Sequence, residues 1–165
     1  MIRIGLISDT HGLLRPEAVA FLRGSDHIIH AGDIGDEAVL GQLQDLAPLT
    51  AVRGNVDTGA WAKRIAETAI LEVAGMAIHV LHDLSTLAVD PATAGYAAVV
   101  AGHSHVPKIE RRAGVWVVNP GSAGPRRFRL PVSVGELLID SNGLEARLAD
   151  LPVGTTPPKK KLSKQ

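Results

Sequence analysis

At 165 residues and 45% hydrophobic content, the chain is expected to form one compact domain with a substantial core. Lys+Arg and Asp+Glu stand at 17 each, so no net field favours DNA, an anionic membrane or a cationic partner. The absence of cysteine excludes disulfides, thiolate metal sites and cysteine nucleophiles, which leaves nitrogen and oxygen donors for any metal chemistry.

Short apolar runs, each ending in a polar or glycine-rich turn, predict strands over Ile2 to Ser8, His27 to Ala31, Leu49 to Arg53, Met76 to Leu81, Ala97 to Ala101 and Val115 to Val118. Helical spacing lies between the first three. Pro16 to Leu22 has proline suited to a first turn, and Asp36 to Leu46 carries Val39, Leu40, Leu43 and Leu46 on one stripe. The later half reads as hairpins, Ala69 to Val73 with Met76 to Leu81 and Lys108 to Arg112 with Val115 to Val118, turning at Ala74-Gly75 and Ala113-Gly114. A layered α/β fold with mixed sheets flanked by helices follows. Residues 1–151 are expected as a single domain and residues 152–165, with Pro157-Pro158 and three consecutive lysines, as a disordered basic tail. No apolar run is long enough for a signal-peptide core or a membrane span, so a cytoplasmic location is expected.

The chemistry-bearing residues cluster where predicted strands end. Asp9 and His11 follow the first strand, Asp33 the second, Asn55 the third, His82 the run to Leu81, and His103 and His105 the run to Ala101. Carboxyl ends of strands are where ligands bind in α/β sheets. Singly, each residue has a structural explanation: Asp9 or Asn55 in a tight turn, Asp33 capping a helix, and the two histidines on the surface. Five strand ends that each present a residue able to bind a hard or borderline cation favour a metal site instead. His27 and His79 alternate within strands and read as structural. His30 reads as a satisfied strand histidine or a group supporting the site.

In order and spacing, Asp9-Thr10-His11, Gly32-Asp33, Gly54-Asn55-Val56-Asp57, His82 and Gly102-His103-Ser104-His105 resemble the motifs of the calcineurin-like metallophosphoesterases. The resemblance extends to Asn119-Pro120-Gly121-Ser122, similar to a loop of the small single-domain bacterial and archaeal phosphodiesterases. It implies a metallophosphoesterase-like fold, with Asp9, His11 and His105 on one metal, Asn55, His82 and His103 on the other, and Asp33 bridging. It further implies two divalent transition-metal ions, manganese first with iron, nickel or zinc as alternatives, and a hydroxide held between them that attacks phosphorus. Asn55 would also donate a hydrogen bond to the phosphate, which makes it a catalytic and substrate-binding candidate as well as a ligand.

Val56 stands where many larger members have a histidine, so protonation of poor leaving groups is in question. Asp83 follows His82 where glycine is common, and reads as a cap of the next turn. Asp57 is expected either to orient Asn55 or His11 or to cap the following turn. Arg126 and Arg127, with Arg129 nearby, are candidates to hold the anionic part of a substrate, against the commoner explanation of an exposed charge run. The expected partner is a small phosphate ester, most readily a phosphodiester, with no clear nucleic-acid or membrane partner and a homo-oligomer left open. The rival reading is a protein-interaction scaffold on the same fold, as in a retromer subunit, and a DNA-processing nuclease ranks last.

Overall fold

The computed structural model describes residues 1–154. In chain order its elements are β1 (Ile2–Ile7), α1 (Pro16–Leu22), β2 (His27–His30), α2 (Glu37–Gln44), β3 (Leu49–Ala51), β4 (Thr68–Val73), β5 (Met76–Leu81), β6 (Tyr96–Val100), β7 (Lys108–Arg112), β8 (Val115–Asn119), β9 (Ser133–Asp140) and β10 (Gly143–Asp150). Single 3-10 turns occupy Ala62–Arg64 and Leu84–Thr86. The strands make two five-stranded sheets, ordered β10-β9-β1-β2-β3 and β4-β5-β6-β8-β7. Both are mixed: β1 pairs parallel with β2 but antiparallel with β9, and β6 pairs parallel with β5 and β8 while β7 closes antiparallel on β8.

Period-two alternation places the core. Ile4 and Leu6 of β1 and Ile29 of β2 point between the sheets and meet Ile78, Val80, Val100 and Val118 from the other side. The opposite face of the first sheet presents Ile7 and Ile28 to Ala18 and Leu22 of α1 and Val39 and Leu43 of α2. Gly5 lies on this face too, where a β-carbon would run into the Leu22 and Ser25 side chains, so its lack of one lets α1 close on the strand. Replacing the fully buried Leu22 by alanine would cost about 2–5 kcal/mol.

Among the described residues, α-helices cover one sheet only. The outer face of the second sheet is met instead by the 84–92 segment, where Leu84, Leu87 and Ala92 pack on Leu81, Val99, Ala101 and Val115. The α2 helix begins one residue later than the sequence pattern suggests because Asp36 is its cap, its carboxylate accepting from the Ala38 amide at 2.9 Å. Both expected hairpins form, with Ala74 and Ala113 in left-handed backbone ahead of their glycines. Of the stretch expected as a tail, Val153 packs against the helix-side core, and residues 155–165 lie outside the described residues. No helix among the described residues is long and apolar enough to cross a membrane.

Candidate metal centre

The parallel strands of both sheets run toward one edge of the sandwich, and there the loops that follow them converge. Asp9, His11 and His105 offer ligand atoms within 4.8 Å of one another, and so do Asp33, His82 and His103. The first group joins the loop after β1 to the loop after β6. The second joins the loops after β2, β5 and β6.

Asp33 Oδ2 lies 3.2 Å from His82 Nε2 and 3.8 Å from His11 Nε2, so one carboxylate faces both groups. Asp9 Oδ1 lies 3.3 Å from His105 Nε2 and 3.9 Å from both His11 Nε2 and His82 Nε2. His11 Nε2 and His105 Nε2 are 3.3 Å apart. Asp9 Oδ1 and His82 Nε2 are buried and lack any hydrogen-bond partner in the protein. Leaving such atoms unsatisfied ordinarily costs about 1–3 kcal/mol each, and a cation among them would satisfy both. The donor set, imidazole nitrogen with carboxylate oxygen, suits borderline divalent metals.

Three of the candidate ligands, His82, Asp9 and Asp33, are held by neighbours. His82 Nδ1 donates to the Ala31 carbonyl at 2.7 Å, which leaves Nε2 with its lone pair toward the site. Asp9 Oδ2 is occupied by the Ser8 hydroxyl at 2.7 Å and the His103 amide at 3.2 Å, so Oδ1 is the oxygen turned inward. Asp33 Oδ1 accepts from the Val56 amide at 3.1 Å, which likewise reserves Oδ2. Glycines permit the close approach: a β-carbon on Gly54 would strike Asp33, and one on Gly102 would strike Ser8 and Asp9.

The backbone pays a conformational cost for this aim. Asp9, His11, Asp33, His103 and His105 all have positive φ, between 46° and 71°, a region uncommon for non-glycine residues and tolerated best by Asp, Asn and His. Electrostatics follow from burial and pairing. Burial pushes the Asp9 carboxyl up, against the lowering effects of Ser8, His82 and His105. For Asp33 the penalty of burial is overcome by His82 and the Val56 amide, and its carboxyl falls below the ordinary value. Burial likewise opposes charge on His82, but Asp33 and the Ala31 carbonyl outweigh it and raise that imidazole. His105 is lowered, chiefly by burial, with Arg127 contributing.

Asn55 and His103 are exposed, and both line a cleft of about 410 Å³ with His82, Arg53, Glu67 and Thr68. Val56 presents no hydrogen-bonding side chain and is 44% exposed. Arg126, Arg127 and Arg129 lie on an exposed loop whose charge reaches the site through Arg127, as its effect on His105 indicates. Asp83 caps the following turn as expected, accepting from the Ser85 amide at 3.0 Å, and also lies 3.8 Å from His103 Nε2. His27 and His79 are away from the site, the first 2.8 Å from the Thr50 hydroxyl and the second stacked on Tyr96 at 4.9 Å between centroids.

Asp57 corrects the expectation made for it. Rather than touching Asn55 or His11 or capping the turn that follows, its buried carboxylate accepts from the amides of Ile34, Gly35 and Gly54 at 2.9–3.1 Å, which clamps the Asp33 loop to the Asn55 loop. His30 is fully buried, 3.0 Å from the Thr10 hydroxyl, and accepts from the Gly32 amide through Nδ1. Two supporting residues lie in the Asn119 to Ser122 loop, which the family resemblance marks but gives no role. Asn119 Nδ2 donates to the Gly102 carbonyl at 2.9 Å and the Ser104 hydroxyl at 3.0 Å, and Ser122 Oγ donates to the Asp9 carbonyl at 3.0 Å. The Asn119 to Ser122 loop therefore braces both ligand loops.

A two-sheet sandwich with two adjoining groups of histidine and aspartate at one edge has the donors of a metal-binding protein. Residues 2–142 match the calcineurin-like phosphoesterase superfamily domain, and the chain belongs to that family. A probable metallophosphoesterase of Methanocaldococcus jannaschii is 35% identical over 159 residues, spanning 88% of this chain and 79% of the relative. Among solved structures, an archaeal phosphodiesterase superposes with a TM-score of 0.76 at 26% identity over 91% of this chain and all of that one (100%). Vps29 of Chaetomium thermophilum has the same fold, with a TM-score of 0.71 at 19% identity over 92% of this chain and 100% of that one.

Proposed function

We propose that this protein hydrolyses phosphodiesters with two divalent transition-metal ions, manganese first, held by Asp9, His11 and His105 on one side and by Asn55, His82 and His103 on the other, with Asp33 shared. The observation that carries this reading is the carboxylate of Asp33, set between His11 and His82 beside two buried donor atoms without protein partners. Cations bound there would supply Lewis acidity toward the phosphate oxygens and activate water at neutral pH.

The protein's own residues do the remaining work. Asp33 and Asp9 bring negative charge that offsets repulsion between two cations, and the amides and hydroxyl on their outer oxygens fix which oxygen faces inward. Asn55, at the mouth of the cleft, orients the phosphate with its amide nitrogen. Arg126 and Arg127 add positive charge on the His105 side.

A side-chain acid for the leaving group is missing among the candidates. Val56 carries no proton, His30 is sealed in the core, and Asp57 spends its carboxylate on three amides. Asp83 is held ionised by its hydrogen bonds from Ser85. General acid assistance is typically worth about 10² to 10⁴-fold, so its absence should be felt by alkoxides and hardly by aryl oxides.

The test is turnover of diesters of graded leaving-group pKa by protein stripped of metal and reloaded. A steep dependence on leaving group, and none of the turnover without metal, is the expected result. A flat dependence would mean an unassigned acid, and turnover by stripped protein would remove the metal mechanism. The scaffold reading ranks second, because the Vps29 fold is shared, and it predicts no turnover of any ester.

A further inference from the structure

A second cleft opens beside the centre, on the side of His103 that faces the β7–β8 hairpin. Its volume is about 210 Å³, below the usual 300–1,000 Å³ of a drug-sized pocket, so it fits a fragment of single-ring size. Leu84, Ala101, Val106, Val117 and Val118 supply its apolar surface. His103 and Asp83 line both this cleft and the more polar one at Asn55, and so form the wall between them.

The charges around the apolar cleft cancel. Glu110 holds both Lys108 and Arg112, at 3.7 Å and 2.7 Å, and Asp83 lies 3.8 Å from His103 Nε2. Nothing there selects a further phosphate or carboxylate. The one amide, Asn119, is committed to Gly102, Ser104 and Gly121 and has no donor left for a base edge.

The wall is also preformed. Ser104 Oγ accepts from the Val106 amide at 3.2 Å and from Asn119, so residues 102–106 are held before anything binds. A rigid cleft avoids the ordering cost that a mobile loop would impose on a ligand.

We infer that the cleft between His103 and the β7–β8 hairpin receives one ester substituent of the substrate, and that this substituent is small, uncharged and apolar, such as a phenyl or short branched alkyl group. The inference rests on the phosphodiesterase reading and names the kind of diester. Two clefts that part at His103 suit a phosphorus atom carrying two unlike arms. Burying a single ring there should be worth about tenfold or more in affinity.

The experiment compares phenylphosphonate with methylphosphonate as ligands of the metal-loaded full chain, followed calorimetrically, in wild type and in Val106→Trp and Val106→Ala. Val106 is 45% exposed on its loop, so neither change disturbs the core. Phenylphosphonate should bind wild type about tenfold tighter than methylphosphonate. Val106→Trp should close most of that gap and Val106→Ala should keep it within about threefold. Equal affinities in wild type, or a gap unchanged by Val106→Trp, would overturn the inference. A gap that behaves as expected in a protein that turns over no ester would uphold the cleft and refute the hydrolase reading instead.

Discussion

The two residue groups of the candidate metal centre are built to different standards. Asp9 and His105 are almost wholly buried and His11 is only partly exposed, so this half is closed over by protein. In the other half Asp33 and His82 are equally buried, but the His103 side chain is 48% exposed and Asn55 is exposed too. A buried donor set arrives pre-oriented, whereas exposed donors must be ordered when the metal binds and compete with water until then. One half should hold its cation tightly and the other should exchange it.

Asp33 belongs to both halves, and the largest effect should come from it. Asp33→Asn should lower turnover of an aryl diester by about 10³-fold or more, because the shared carboxylate organises both cations. His27→Ala and His79→Ala should stay near wild type under the same steady-state assay, with circular dichroism confirming the fold of all three. Activity retained in a folded Asp33→Asn protein would remove the shared-ligand assignment.

The inequality of the halves is sharpened by metal counting. If two metals bind as proposed, wild type should keep one of them after dialysis against a chelator of moderate strength. His103→Ala should behave as if that loss were already complete, while His105→Ala should lower retention of the tightly held metal by about 10–100-fold. Elemental analysis of the dialysed proteins reads this directly, and equal loss from both variants would make the halves equivalent.

Asp57 ties the two halves' loops together without being a ligand. Asp57→Ala leaves the amides of Ile34, Gly35 and Gly54 without their acceptor, and the metal-free protein should lose about 3 kcal/mol in urea unfolding. A loss below about 1 kcal/mol would mean that water replaces the clamp.

An effect felt only as pH changes comes from His30. Burial, with repulsion from His82 second, pushes its imidazole down to about 3 from 6.5. Between those values the unfolded chain binds a proton that the folded chain does not. The stability linked to this group is therefore whole above about pH 6.5 and is lost as pH falls toward 3, at up to about 1.36 kcal/mol per pH unit. Urea unfolding of metal-free wild type and His30→Gln across this window should give curves that converge on acidification. Parallel curves would mean that His30 is protonated in the fold.

What the sequence made legible was chemistry placed at fixed offsets from local pattern. Asp9, Asp33, His82 and the His103 pair each directly follow an apolar run, and strand ends are readable because the period-two pattern stops there. The roles of the braces were not legible, although their motifs were, because each is defined by a partner far along the chain: Ser122 reaches Asp9, and Asp57 serves Ile34. The uneven helical cover was hidden for a related reason. Leu84 and Leu87 cap the second sheet from a 3-10 turn and coil, with too few residues to show any period. Asp57 was misread because turn-capping is local and its true partners are not.

The left-handed backbone at Asp9, His11, Asp33, His103 and His105 sets stability against function at the same five positions. Glycine at the exposed His103 would relieve a conformational cost of about 1 kcal/mol and remove a proposed ligand in the same step. At Asp9 and Asp33 the same change would also strip the acceptor from the Ser8 hydroxyl and from the His103 and Val56 amides, which offsets the relief. Selection for stability alone would therefore erode this centre from position 103, and a lineage that kept the fold but no longer needed the chemistry should show glycine there well before its core changed.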